Sequence, residues 1–83
     1  MTPKRFVYVL KTGERTPRYY VGVTGNLARR LTWHNEGRCA HTAKYRRWHA
    51  YVVIEFSNEE HAVKFEQYLK SGSGRAFAKR HFE

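Results

Sequence analysis

The sequence predicts a small α+β domain, a three-stranded sheet with helices packed on it, in the order β-β-α-β-α-α. Three observations predict it. Runs at residues 6–10, 19–23 and 50–56 are rich in β-branched and aromatic side chains. Two longer stretches place apolar residues at helical spacing behind Asn or Ser caps. The 83 residues leave room for one core, so residues 1–83 are expected to form a single domain.

The elements follow in order. Phe6-Val7-Tyr8-Val9-Leu10 reads as a buried strand. Lys11 to Arg18 is polar, contains Gly13 and Pro17, and reads as a turn or loop. Tyr19-Tyr20-Val21-Gly22-Val23 is the hairpin partner, and a glycine inside a strand predicts a close approach to the backbone there. The first helix starts behind Asn26, places Leu27 and Leu31 one turn apart, and stops at Gly37 as its C′ residue. Arg38 to His49 is polar and cationic, without an acid. Ala50 to Phe56 is the third strand. Ser57-Asn58-Glu59-Glu60 has the capping-box pattern, with Ser57 as cap, and predicts a second helix to about Lys70 or Ser71 that ends at Gly72. A last basic helical segment covers Arg75 to Phe82.

Composition narrows the partners. Sixteen Lys and Arg stand against seven acids, all of them Glu, for a formal charge of +9. Such a surface attracts a polyanion, and nucleic acid is the expected partner. No helix pairs a basic face with a broad apolar one, so membrane binding is not expected. No apolar run is long enough to span a bilayer, and Met1 to Arg5 shows no signal-peptide pattern. With one cysteine, Cys39, an intramolecular disulfide is excluded and a cytoplasmic setting is expected. The spacing of His34, Cys39, His41 and His49 matches no standard zinc pattern.

Three features could carry chemistry. Arg30 and His34 lie one turn apart on helix one, either bordering the sheet or forming a solvated basic edge. Glu66 falls within the apolar arc of Ala62, Phe65 and Leu69. A carboxylate there is either functional or the partner of an arginine. Tyr8 and Tyr20 sit on the two hairpin strands, as neighbours in a site or as core aromatics.

The order of short motifs is similar to that of the GIY-YIG nuclease domain. It comprises Phe6-Val7-Tyr8, Tyr20-Val21-Gly22, Asn26 to Leu31 with His34 to Gly37, and Ala62 to Lys70 around Glu66. The chain resembles the small stand-alone bacterial members of that superfamily, whose larger members include the nuclease component of a DNA-repair excinuclease. Phe6 replaces the first Gly, Val replaces Ile in both motifs, and Phe77-Ala78-Lys79 lacks the late Asn of several larger members.

The resemblance implies a mainly antiparallel three-stranded sheet flanked by helices, and metal-dependent cleavage of DNA phosphodiesters. It implies catalytic roles for Tyr8, Tyr20, Arg30, His34 and Glu66. Tyr20 is the leading general base, with Tyr8 beside it. Arg30 neutralises the scissile phosphate, His34 orients or relays a proton, and Glu66 holds a single Mg²⁺ (or Mn²⁺). Arg29, Lys44, Arg46, Arg47 and Arg75 are expected on the phosphate backbone, with Tyr45 and Trp48 stacking on unpaired bases. Target choice is left to a protein partner. The competing reading is a non-catalytic nucleic-acid-binding module on the same fold.

Overall fold

The computed structural model describes residues 4–83; Met1 to Pro3, part of the N-terminus read above as lacking a signal peptide, lie outside the described residues. The elements are β1 (Arg5–Thr12), β2 (Tyr19–Thr24), α1 (Leu27–Asn35), β3 (Trp48–Phe56), α2 (Glu59–Leu69) and α3 (Gly72–Phe82), with a 3₁₀ turn at Ala43–Tyr45 before β3. The order is the expected β-β-α-β-α-α. The sheet is three-stranded and antiparallel throughout, in the order β2-β1-β3.

The central place of β1 explains its sequence. Val7, Tyr8, Val9 and Leu10 are all buried because helices cover the strand on one face and α1 with the 3₁₀ turn covers it on the other. Val7 packs with Ala62 and Leu69 of α2, and with Phe77 and Phe82 of α3. Tyr8 and Leu10 pack with Trp48, Tyr20, Leu27, Leu31 and Tyr45.

Helix α1 follows its sequence signals at both ends. The Asn26 carboxamide accepts from the Arg29 N–H at 3.0 Å. At the other end Gly37 has φ +79°, and the N–H groups of Gly37 and Arg38 donate to the carbonyls of His34 and Trp33. That double bond is the Schellman arrangement, and it needs a residue free to adopt positive φ.

Strand β1 runs on through Lys11 and Thr12, read above as loop, because they pair with His49 and Trp48 of β3. Three further boundaries differ from the sequence reading. The cap of α2 is Asn58, not Ser57: Asn58 Oδ1 accepts from the His61 N–H at 3.0 Å. Asn58 offers the same acceptor one residue later, so Glu60 falls out of capping-box register. Strand β3 begins at Trp48 rather than Ala50, because Asn35 of α1 clamps Trp48 from both sides. Its Oδ1 accepts from the Trp48 N–H at 2.7 Å and its Nδ2 donates to the Trp48 carbonyl at 2.9 Å. Helix α3 starts at Gly72, not Arg75. Ser71 is its cap, with Oγ accepting from the Gly74 N–H at 3.2 Å, and the glycines form its first turn.

Candidate active site

Tyr8 pairs with Gly22 across the hairpin. A side chain at residue 22 would fall on the Tyr8 hydroxyl and ring, so the phenol of Tyr8 is what approaches the β2 backbone. The hydroxyl lies 3.0 Å from His34 Nε2. His34 is fully buried, and its Nδ1 lies 2.9 Å from Thr42 Oγ1. Thr42 Oγ1 donates to the Cys39 carbonyl, so it accepts from Nδ1–H. Nε2 is then the acceptor for the Tyr8 O–H. Burial, followed by the nearby Arg30 charge, lowers the His34 pKa and keeps the ring neutral.

Tyr20 presses edge-on against the same imidazole, with ring centroids 4.8 Å apart, and its ring is 6.5 Å from that of Tyr8. Unlike Tyr8, which is 1% exposed, Tyr20 is only half-buried. It lines two cavities. One, of about 260 Å³, is shared with Lys70 and Arg75. The other, of about 400 Å³, is shared with Arg18 and His41. Burial pushes both phenols above their ordinary range, with Tyr20 adding to the rise at Tyr8. At Tyr20 the Cys39 thiol adds to the rise and the Lys70 ammonium opposes it.

The charges of Arg30 and Glu66 both reach this centre. The Arg30 guanidinium lies over the Trp33 ring at 4.8 Å and lines a cavity of about 270 Å³ with Val23 and Val63. Its charge reaches Tyr8 and His34. Glu66 lies between that cavity and the one at Tyr20, since Val63, Glu66 and Lys70 follow one another along one side of α2. The Glu66 side chain is only 14% exposed, and Lys70 Nζ meets Oε2 at 2.6 Å. The same ammonium is 5.9 Å from the centroid of the Tyr20 ring. The Glu66 charge raises both phenols.

A family model described as the GIY-YIG catalytic domain matches residues 4–80. The chain belongs to the GIY-YIG family. It is 34% identical over 70 residues to the UPF0213 protein YazA of Bacillus subtilis (strain 168), a match that covers 83% of this chain and 69% of that protein. It is 33% identical over 76 residues to the UPF0213 protein SpyM50708 of Streptococcus pyogenes serotype M5 (strain Manfredo), covering 90% and 80%. Membership supports a nuclease-type function in general and nucleic acid as the partner. Among the described residues no helix is long and apolar enough to cross a membrane.

In this GIY-YIG domain Tyr8, Tyr20 and His34 meet directly, while the Arg30 charge reaches Tyr8 and His34 and the Glu66 charge reaches Tyr8 and Tyr20. Arg29, Lys44, Arg46, Arg47 and Arg75 are all exposed, and Arg75 joins the Tyr20 cavity. The expected stacking pair is not free. Trp48 is buried and its indole N–H donates to the Thr42 carbonyl at 2.9 Å. Tyr45 is half-buried under the Arg18 guanidinium, 4.0 Å from its centroid. Sequence reasoning missed Thr42, which fixes the His34 ring, and Lys70, whose only sequence signal is its place four residues after Glu66.

The donor set at Glu66 fits a hydrated divalent ion. It is a single, mostly shielded carboxylate that already faces a cation. Mg²⁺ is commonly held by one or two carboxylates, with water and substrate phosphate completing the shell.

Proposed function

We propose that the protein is a metal-dependent endonuclease that hydrolyses DNA phosphodiester bonds. The observation that carries this reading is the meeting of Tyr20 with the Tyr8–His34 pair, where the charges of Arg30 and Glu66 both reach Tyr8. Tyr20 is the general base because it faces a cavity, whereas the Tyr8 hydroxyl is engaged by His34 and closed to solvent. Only the phenolate of Tyr20 can accept a proton, so Lys70 and a bound divalent ion would have to offset the rise that burial causes. Tyr8 and His34 hold the phenol of Tyr20 in place, with the neutral His34 ring accepting the Tyr8 O–H hydrogen bond. Arg30 binds two oxygens of the scissile phosphate through its forked guanidinium. Glu66 holds a single Mg²⁺ or Mn²⁺, which when bound supplies positive charge for the phosphoryl and leaving oxygens. Arg29, Lys44, Arg46, Arg47 and Arg75 bind the phosphate backbone without reading sequence, and a protein partner supplies the target.

The second reading is a nucleic-acid-binding module that keeps the fold. The tight Glu66–Lys70 pair favours it, as does Phe77, which stands near the family's late Asn and packs into the core instead.

Plasmid nicking with Mg²⁺ or Mn²⁺, run beside a binding titration, tests the two readings. Wild type is expected to nick. Tyr20→Phe, Arg30→Met and Glu66→Gln are expected to lose roughly a hundredfold or more while still binding. Binding without nicking by wild type overturns the nuclease in favour of the module. Full nicking by Glu66→Gln removes Glu66 from the metal.

A further inference from the structure

Two Glu–Lys pairs, each spanning one turn, lie on α2 and its C-cap residue Lys70, and they differ. Glu60 and Lys64 meet at 3.4 Å with side chains 74% and 70% exposed, an ordinary solvated pair. Glu66 and Lys70 meet at 2.6 Å, with the acid only 14% exposed and the lysine 49%. The stem of Lys70 also brings its ammonium toward the Tyr20 ring, at 5.9 Å, and lines the Tyr20 cavity with Arg75. A carboxylate shielded from water is screened less than an exposed one, so its attraction to a half-exposed partner is the stronger.

We infer that Lys70 is a built-in competitor for the metal position: its ammonium holds Glu66 Oε2 while no divalent ion is bound, and a divalent ion must displace it from that oxygen. This inference rests on the proposed role of Glu66 and adds a positioning residue to it. Lys70 keeps the acid aimed and neutralised in the resting protein. Once displaced, the ammonium stays on the wall it already lines, beside Tyr20, where a phosphate oxygen can receive it. Two cations are thus available in sequence to one carboxylate, so metal affinity is set partly by how firmly the lysine holds.

Mn²⁺ binding to the full chain, followed by electron paramagnetic resonance without nucleic acid, tests this apart from activity. Lys70→Met is expected to bind Mn²⁺ roughly three- to tenfold more tightly than wild type. Lys70→Arg, which keeps the pair, is expected to stay near wild type, and Glu66→Gln to lose the site. Arg75→Met removes the same charge from the same cavity without touching Glu66, and is expected to tighten binding less than Lys70→Met. If Lys70→Met binds no tighter than wild type, or only as tightly as Arg75→Met, the competitor role is overturned while the Glu66 site stands. If neither wild type nor Lys70→Met binds Mn²⁺, the metal role of Glu66 and this inference fall together.

Discussion

Tyr8, Gly22 and His34 show how much of the centre is decided one atom at a time. Tyr8 reaches His34 only because residue 22 has no side chain to block the ring. The strand glycine signalled a close approach, and motif order pointed to Tyr8, Tyr20, Arg30, His34 and Glu66. Thr42 was illegible because it lies eight residues beyond His34 in a segment without periodic pattern. Lys70 was illegible because lysine at that spacing is usually solvated. The buried imidazole has a consequence for pH. Its folded pKa lies below the ordinary 6.5, so the unfolded chain takes up a proton first as pH falls. Stability is therefore full above about 6.5 and is lost as pH drops from there toward the lowered folded value, by at most about 1.4 kcal/mol per pH unit. Thermal melts from pH 7.5 to 5.5 are expected to show the decline, and His34→Gln to flatten it.

At the scale of elements, the strands and α1 were legible because hydrophobic period and caps agree there. The α2–α3 junction was not, because glycine has two uses that look alike in sequence. Gly72 reads as the end of α2 and Ser73-Gly74 as the opening of the next segment, yet both glycines lie within α3. A Cβ at Gly74 would overlap the Tyr68 carbonyl and the Leu69 Cα, so that glycine lets α3 close onto α2. A Cβ at Gly72 meets nothing within 4 Å. Gly74→Ala is expected to destabilise by roughly 2–4 kcal/mol, since only backbone could move aside. Gly72→Ala is expected to be neutral or to stabilise by up to about 1 kcal/mol. Urea unfolding of the two variants separates these uses, and equal effects would contradict the close-packing account. The start of β3 was illegible for another reason: its clamp comes from Asn35, thirteen residues upstream.

For the whole molecule, a charge of +9 makes phosphate the dominant long-range attraction. Affinity for nucleic acid is expected to fall linearly with salt on logarithmic axes. Neutralising Lys44 and Arg47 together, as Lys44→Gln/Arg47→Gln, is expected to weaken binding evenly across sequences and to reduce the slope by about 2. An unchanged slope in a filter-binding titration would place the phosphate track elsewhere.

The strand order carries a last consequence, for biogenesis. The middle strand leaves the ribosome first, yet one of its flanks finds its match only after the last strand has been made. Between those moments the nascent chain offers a bare row of peptide groups beside an apolar surface, ready to join a neighbouring copy. Both tyrosines of the hairpin are synthesised before the third strand, whereas the glutamate and lysine follow it. The phenols and the arginine are thus made before the acid and the lysine, and the interval before the third strand is when the chain is expected to be most at risk of clumping.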